Sequence, residues 1–573
     1  CAGPKSAPCG VGRRPTRTFA LHAQGSSESE ARAPPSRATL ATAALRQGIA
    51  IGYMPDSVTR RRMRPAEWAA LAVILAIALG LRVYRIGAES IWFDECVTYM
   101  GLDEPTIMGL FRNEATRNPK SVPFYYGCAY FWYRMGFDSI TGMRMLSILG
   151  GMIVVTGVYF FARRFFGHIG GIAAALCVSC AKLHVYQSQE IRNYTFTLSI
   201  ALFAMFAFYQ AAVANKRQWW LFNVAANVLL VYTHMLSALL LFAQGLYLLI
   251  TRPRQIKGIA VWTLLHAPFL ALIPFWQALI TTADFEHETD WIPLTYKLDK
   301  AIDTYYYVFA GSKLDQPDMI KALPFGWFPV QHFLGMALVV ALAFFLFTCL
   351  RAWSRHTDAH PGFQKQNALF LLVWAFVPPA ALYVFGHFMH AYLERYVLYS
   401  SLAVYICIGG AVAALPKRAL QYSAIAALGL IYAGNAIDME RPLRYNVGAA
   451  GAVLRDDYAP GEHVYSWHED LQIPLHFYGG VPENMLVGAN DFPDILDDHA
   501  RWDRIVGEAF AEAESGRRTW ICFDEVPHRF EDKVVEDVLK RHPDIAPTRW
   551  HYTGRRHMYL YRLDPTHRHD EAG

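Results

Sequence analysis

The chain has 573 residues, of which 54% are hydrophobic and 14% aromatic. Its mean hydropathy is +0.17 and its net charge +5. Apolar runs of about 17–25 residues, each long enough to cross a bilayer, recur too often for a soluble protein. The basic residues sit in short loops at regular intervals, so the positive charge does not argue for nucleic-acid binding.

In chain order, residues 1–66 are polar. Residues 1–53 are rich in Ala, Arg, Ser, Pro and Gly without periodicity and read as disordered. Met54-Pro55-Asp56, followed by Arg60 to Arg64, marks a natural start. Residues 1–53 are therefore expected to be an over-extended gene reading or a processed leader. Eleven spans follow, at 67–84, 142–162, 169–186, 193–213, 218–232, 235–250, 258–280, 330–350, 366–385, 395–414 and 419–436. With a cytoplasmic N-terminus, every second loop should carry Lys or Arg. Arg61/Arg62/Arg64, Arg163/Arg164, Lys216/Arg217, Arg252/Arg254/Lys257, Arg351/Arg355/Lys365 and Lys417/Arg418 satisfy this in all six loops.

The resulting topology puts loop 85–141, the turn at 184–192, loop 281–329 and everything after about 437 outside the cytoplasm. Segments 102–114 and 124–135 have the periodicity of amphipathic helices lying on the membrane surface. From 439 to 573 the pattern becomes that of a soluble α/β domain. Its strand candidates are Glu462–Trp467, Thr519–Phe523 and His557–Tyr561, and its helical stretches are 498–515 and 530–541. The expected fold class is mainly α: a polytopic membrane protein of about eleven helices over 67–438, followed by a small extracytoplasmic α/β domain.

Chemistry concentrates where the chain leaves the membrane. Asp94 and Glu95 follow the apolar run Ile91-Trp92-Phe93 directly after the first span. Ionisable groups at a membrane rim are costly and tend to be functional. A carboxylate in a partly dry setting is suited to deprotonating a hydroxyl, whereas the plain alternative is a helix cap or a solvated loop acid. The turn Tyr186–Tyr194 carries Gln187, Gln189, Glu190 and Arg192. Arg192 is suited to a phosphate oxygen, and Glu190 to orienting a sugar or fixing the arginine. Lys182 either joins them or snorkels outward. Arg395 opens the tenth span on the same face, as a second cation or as an interfacial anchor. His234, in Tyr232-Thr233-His234, is a site residue or a hydrogen-bonded structural one.

Asp284, Glu286, His287, Glu288 and Asp290 form an acidic loop where a divalent cation would have ligands, with a solvated loop as the alternative. No other cofactor is indicated. Cys177-x-x-Cys180 lies in an apolar span without a second ligand pair, which argues against zinc. Cys96 and Cys128 share one loop, which permits a disulfide.

The order of an acidic pair after an aromatic, Pro123-Phe124-Tyr125-Tyr126, Ser188-Gln189-Glu190-Ile191-Arg192-Asn193-Tyr194, Tyr232-Thr233-His234 and Arg395-Tyr396 resembles the bacterial GT-C glycosyltransferases. Within these it resembles the protein O-mannosyltransferase and aminoarabinose-transferase superfamily. The resemblance covers 67–438 and implies sugar transfer from a polyprenyl-phosphate carrier to a lipid, glycan or protein acceptor outside the bacterial inner membrane. It implies Asp94 as general base or acceptor-orienting carboxylate, with Glu95 beside it as a catalytic-pair member. Arg192 and Arg395 are implied as donor-phosphate ligands, and Lys182, standing where relatives tend to have a small residue or proline, is expected as a third phosphate contact. Glu190, Gln189, Tyr194, Tyr125 and His234 are implied as substrate contacts. Where relatives have His-Pro-Pro, this chain has Lys120-Ser121-Val122-Pro123. The competing reading is a transporter or flippase for lipid-linked glycans, which would place polar groups mid-span rather than at one rim. A third reading is an envelope scaffold acting through its tail domain.

Overall fold

The computed structural model describes residues 62–117, 122–280, 330–355, 360–388, 392–437, 446–467, 469–488, 491, 498–525, 531–543, 545, 547–552 and 557–565. The N-terminal segment 1–61, Lys120 and the acidic loop 284–290, on which expectations were placed, lie outside the described residues.

Helices cover every expected span. The first is α1 (Pro65–Val83). After it come three helices of the first loop, α2 (Phe93–Gly101), α3 (Ile107–Arg117) and α4 (Pro123–Arg134). The next element, α5 (Ile140–Cys180), is 41 residues long and joins two spans through a break at Gly167. Gly167 has φ 72°, a backbone angle open to glycine at little cost. There follow α6 (Lys182–Ser188), α7 (Tyr194–Phe208), α8 (Trp219–Val231), α9 (Ala238–Thr251) and α10 (Ile256–Ile280). The remaining apolar helices are α11 (Val330–Arg355), α12 (Lys365–Phe385), α13 (Ser400–Ala413) and α14 (Arg418–Ile437).

Among the described residues, six helices are long and apolar enough to cross a membrane, and three more are shorter apolar helices. Their outward faces carry large apolar side chains, including Leu221, Leu264 and Val339, each at least 66% exposed. A soluble surface does not tolerate such a belt, and a lipid-facing one requires it. Helix α13 is buried along its whole length and packs on α5. The two cross at glycines: a Cβ on Gly409 would overlap the carbonyl oxygen of Gly170. Small residues at such crossings let backbones approach where lipid supplies no hydrophobic drive.

The C-terminal part is a five-stranded sheet of order β2-β1-β3-β5-β4. Its strands are β1 (Val464–Ser466), β2 (Leu486–Val487), β3 (Thr519–Glu525), β4 (Pro547–Tyr552) and β5 (His557–Leu563). Strand β1 runs parallel to β2 and β3, while β5 is antiparallel to β3 and β4. The period of two sorts the side chains. Ile521 and Phe523 face α17 (Asp498–Glu514) and α18 (Glu531–Arg541). Trp520 and Cys522 face α15 (Val447–Asp457) and α16 (Glu469–Gly479). Both faces are covered, which gives a small α/β/α layer structure.

Candidate active site

The site is built on α2 and the turn 189–193. Trp92 precedes α2, and Asp94 and Glu95 fall in its first turn, where the helix dipole favours negative charge. Glu95 is fully buried. Its carboxylate is 3.2 Å from both Nε and Nη2 of Arg144 on α5, and it accepts the Ile191 N–H at 2.8 Å. Arg144 is also buried and donates through Nη1 to the carbonyls of Ile86 at 2.6 Å and Glu89 at 3.0 Å. This pair ties the start of α2 to the bundle. Asp94 points elsewhere, with its side chain 23% exposed. Its Oδ2 lies 3.5 Å from Nη2 of Arg192, and among the described residues no other side chain pairs with that carboxylate.

Each residue of the turn has a tether. The Gln189 amide donates to the carbonyls of Arg82 at 3.0 Å and Tyr84 at 2.9 Å, closing the C-terminal end of α1. The Glu190 carbonyl accepts from the Ser147 hydroxyl. Ile191 bonds Glu95. The Asn193 amide donates to the Thr233 carbonyl at 2.7 Å, and the Phe124 N–H donates to the Tyr232 carbonyl at 3.0 Å. Four segments distant in sequence are thus drawn to one point, and Arg192 is held over it.

Arg192 is 8% exposed. Its Nη1 reaches the Asp94 carbonyl at 3.3 Å and the Thr98 hydroxyl at 3.4 Å. Burial alone would weaken its charge, but Asp94 and Tyr126 more than offset this, holding its pKa well above the usual arginine range. Arg395 sits in the short 3₁₀ turn Glu394–Val397. Its guanidinium carbon is 5.7 Å from the centroid of the Trp92 ring and 5.8 Å from that of Tyr194. Burial likewise opposes its charge, and Tyr194, Asp94, Tyr396 and Glu190 outweigh it, so its pKa is raised. The Nε atoms of both arginines are buried and bond nothing among the described residues. Buried donors of this strength are ordinarily satisfied, so two of them at one site form an arrangement able to take an anion.

His234 packs its ring 4.7 Å from that of Tyr396 and 6.5 Å from that of Tyr194. Burial first, then the charges of Arg192 and Arg395, push its pKa down to about 3. It is a neutral wall of the site. Tyr125 is fully buried, edge-on to Phe196 at 5.5 Å. Glu190 is buried, and its charge acts on Arg395. Lys182 is buried at the first residue of α6, roughly 9 Å along that helix from Ser188. The structure therefore brings together Asp94, Arg192, Arg395, Tyr194, His234 and Glu190. It commits Glu95 and Gln189 to holding the backbone.

Three charged residues escaped the sequence reading. Arg144 and Arg82 are buried cations inside or beside apolar runs; Arg82 donates to the carbonyls of Val178 and Ser179 and to the Ser188 hydroxyl. A cation within an apolar run is itself the signal that would have found them. Glu114 on α3 is buried and acts electrostatically on Tyr126 and Arg192. No group of three or more metal-ligating side chains occurs among the described residues. Cys96 and Cys128 are both free thiols.

The fold and site define a helical membrane protein with a cationic, aromatic-walled cluster at one end of its bundle and a small sheet domain beside it. Residues 122–280 match the family described as dolichyl-phosphate-mannose-protein mannosyltransferase. That segment contains the Pro123–Tyr126, Ser188–Tyr194 and Tyr232–His234 motifs, and the match bears out the resemblance to the GT-C superfamily. Asp94 and Arg395 lie outside it. No curated protein matches the chain. Among solved structures the chain is similar to ArnT from Cupriavidus metallidurans bound to undecaprenyl phosphate, at 13% identity over 87% of this chain and 98% of that one, TM-score 0.49. The apo form of the same protein gives 14% identity, the same coverage and TM-score 0.49. The Archaeoglobus fulgidus oligosaccharyltransferase tethered with an acceptor peptide gives 12% identity over 85% and 73% of the two chains, TM-score 0.46.

Proposed function

We propose that the chain is an integral-membrane glycosyltransferase that moves a sugar from a polyprenyl-phosphate carrier to an acceptor hydroxyl outside the cytoplasm. The observation that carries this is the pair of arginines, each with a buried Nε unpartnered among the described residues, that both act electrostatically on the partly exposed Asp94 carboxylate. Arg192 and Arg395 bind the phosphate that links sugar to lipid. As the bond from the sugar C1 to the phosphate oxygen breaks, negative charge grows on the leaving phosphate, and fixed cations stabilise it where it develops. The acceptor oxygen forms the new bond to C1 and its proton passes to Asp94. Tyr194, Tyr125, Glu190 and His234 shape the sugar pocket. Glu95 and Gln189 keep α2 and the turn in place. The flippase reading is not favoured, because the charged residues gather at one end of the bundle rather than along its middle.

The test uses the full-length protein in vesicles with a polyprenyl-phosphate sugar donor. Asp94→Asn is expected to abolish turnover while leaving donor binding within about twofold, since the amide keeps the shape and loses the base. Near-normal turnover would remove Asp94 from that role. Arg192→Ala is expected to raise the donor KM by tenfold or more, each 1.4 kcal/mol of lost charge-assisted contact being about a factor of ten. An equal loss for donor and acceptor would reduce Arg192 to a structural part. Mass spectrometry of envelope glycolipids and glycans with and without the gene identifies the transferred sugar.

A further inference from the structure

The helix that carries Asp94 is held from two directions. One is the membrane bundle, through Glu95, Arg144 and Ile191. The other is the C-terminal domain. The N–H of Ile91, three residues before Asp94, donates to the Tyr478 hydroxyl of α16 at 2.8 Å. The N–H of Gly448, in the first turn of α15, donates to the Ser90 hydroxyl at 3.0 Å. On the other side of Asp94, Tyr99 meets Phe477 edge-on, with ring centroids 5.7 Å apart at 85°. Ile473, Phe477 and Tyr478 close over the apolar cluster that contains the buried Ile91 and Cys96.

These contacts bracket Asp94 in sequence, and Tyr478 itself is rigidly placed. A Cβ on Gly451 of α15 would overlap the Cβ of Tyr478, so the two helices of the domain grip that side chain closely. Burial is the main cause that pushes the Tyr478 hydroxyl up to about 12, so it stays protonated at any working pH. No bond joins Tyr478 to Asp94, Arg192 or Arg395.

We propose that Tyr478 is a positioning residue for transfer: through its bond to Ile91 the C-terminal domain sets where the Asp94 carboxylate stands. This inference rests on the reading of Asp94 as the base. It gives the sheet domain a part in the chemistry that none of its own strands carries. The physical reason is leverage. The first turn of α2 has no side-chain cap of its own; Arg144 holds the loop before it at Ile86 and Glu89, and the two residues nearest the helix start, Ser90 and Ile91, bond the C-terminal domain. An offset of about 1 Å in a base is enough to cost a large factor in rate, while a phosphate site on separate elements is undisturbed.

The variant is Tyr478→Phe in the full-length protein in vesicles, because it keeps the ring packing and removes the hydroxyl. The expected result is a fall in kcat of about tenfold with donor KM within twofold and an unchanged melting temperature. The second arm repeats the substitution in an Asp94→Glu background, where the carboxylate is already displaced by one methylene. If Tyr478 acts through Asp94, its effect shrinks there to less than threefold. A full tenfold loss in both backgrounds, a parallel rise in donor KM, a lower melting temperature, or wild-type kcat in the single variant would each overturn the proposal. The two readings fail separately. An active Asp94→Asn sinks the base assignment, whereas an inactive Asp94→Asn with a normal Tyr478→Phe sinks only this inference.

Discussion

Asp94 and Glu95 are adjacent in the chain, about 100° of helix rotation apart. That rotation sends one carboxylate into a buried bond with Arg144 and the other toward Arg192 and solvent. In the sequence they are two acids behind the same apolar run, and nothing local distinguishes them. What does is Arg144, fifty residues on, whose partner becomes visible only once α5 is placed. The buried pair gives an expectation at this scale. Glu95→Gln leaves the Arg144 charge buried without its counter-charge, which costs roughly 3–5 kcal/mol. The variant should lose thermal stability in detergent to a degree that Asp94→Asn does not, and equal melting temperatures would remove Glu95 from the anchoring role. His234 gives a pH expectation. Its folded pKa of about 3 lies below the ordinary value of 6.5, so it is neutral when folded and protonates on unfolding. Its contribution is intact above pH 6.5 and is lost as pH falls from there toward 3. Between pH 7 and 5 this amounts to about 1–2 kcal/mol. A His234→Gln variant should lose less stability than wild type over that interval, and an identical acid loss would count against a neutral buried His234.

The elements that were legible in the sequence are those whose periodicity is strong. The apolar spans, α17, α18, β3 and β5 all lie where their patterns put them. Helix α16 was missed because Pro474 interrupts it and paired glycines follow, which read as a loop. Strand β4 was missed because its side chains alternate only weakly between partly buried and exposed. The turn 189–193 was legible as a cluster of chemistry but not as a junction. Its tethers come from α1, α2, α5 and the 232–234 turn, and no local pattern announces a long-range hydrogen bond. The α5–α13 crossing is an element-scale feature with its own test. Gly409→Ala sets a Cβ against the backbone carbonyl of Gly170, which has no rotamer by which to move aside. Overpacking of this kind costs about 1–3 kcal/mol. Because α13 follows directly from the Arg395 turn, the variant should show both a lower melting temperature and a weaker donor KM. A stable protein with normal kinetics would mean that the two helices are free to separate.

At the scale of the whole molecule, α1 supplies a ruler. Near its first turn, Glu67 pairs with Arg163 at 3.5 Å, in one of the basic loops. Past its last turn come Asp94 and the tethered turn with Arg192. The helix between is 19 residues, roughly 28 Å long, about the thickness of a bilayer's hydrocarbon core. The basic loop and the charged cluster therefore occupy opposite ends of the bundle. Loops rich in Lys and Arg are expected in the cytoplasm, and the orientation proposed on that ground puts the cluster on the far side of the membrane. The C-terminal domain follows the cluster, because Tyr478 and Phe477 rest on the segment 91–99. A tag placed after Gly573 should accordingly react with an impermeant reagent in intact cells, and a cysteine introduced at Arg217 should react only after permeabilisation. Had the span count been off by one, the charge alternation would fail downstream and the tag would lie inside. Reporter activity of that tag in the cytoplasm would therefore overturn the orientation and, with it, the site of transfer.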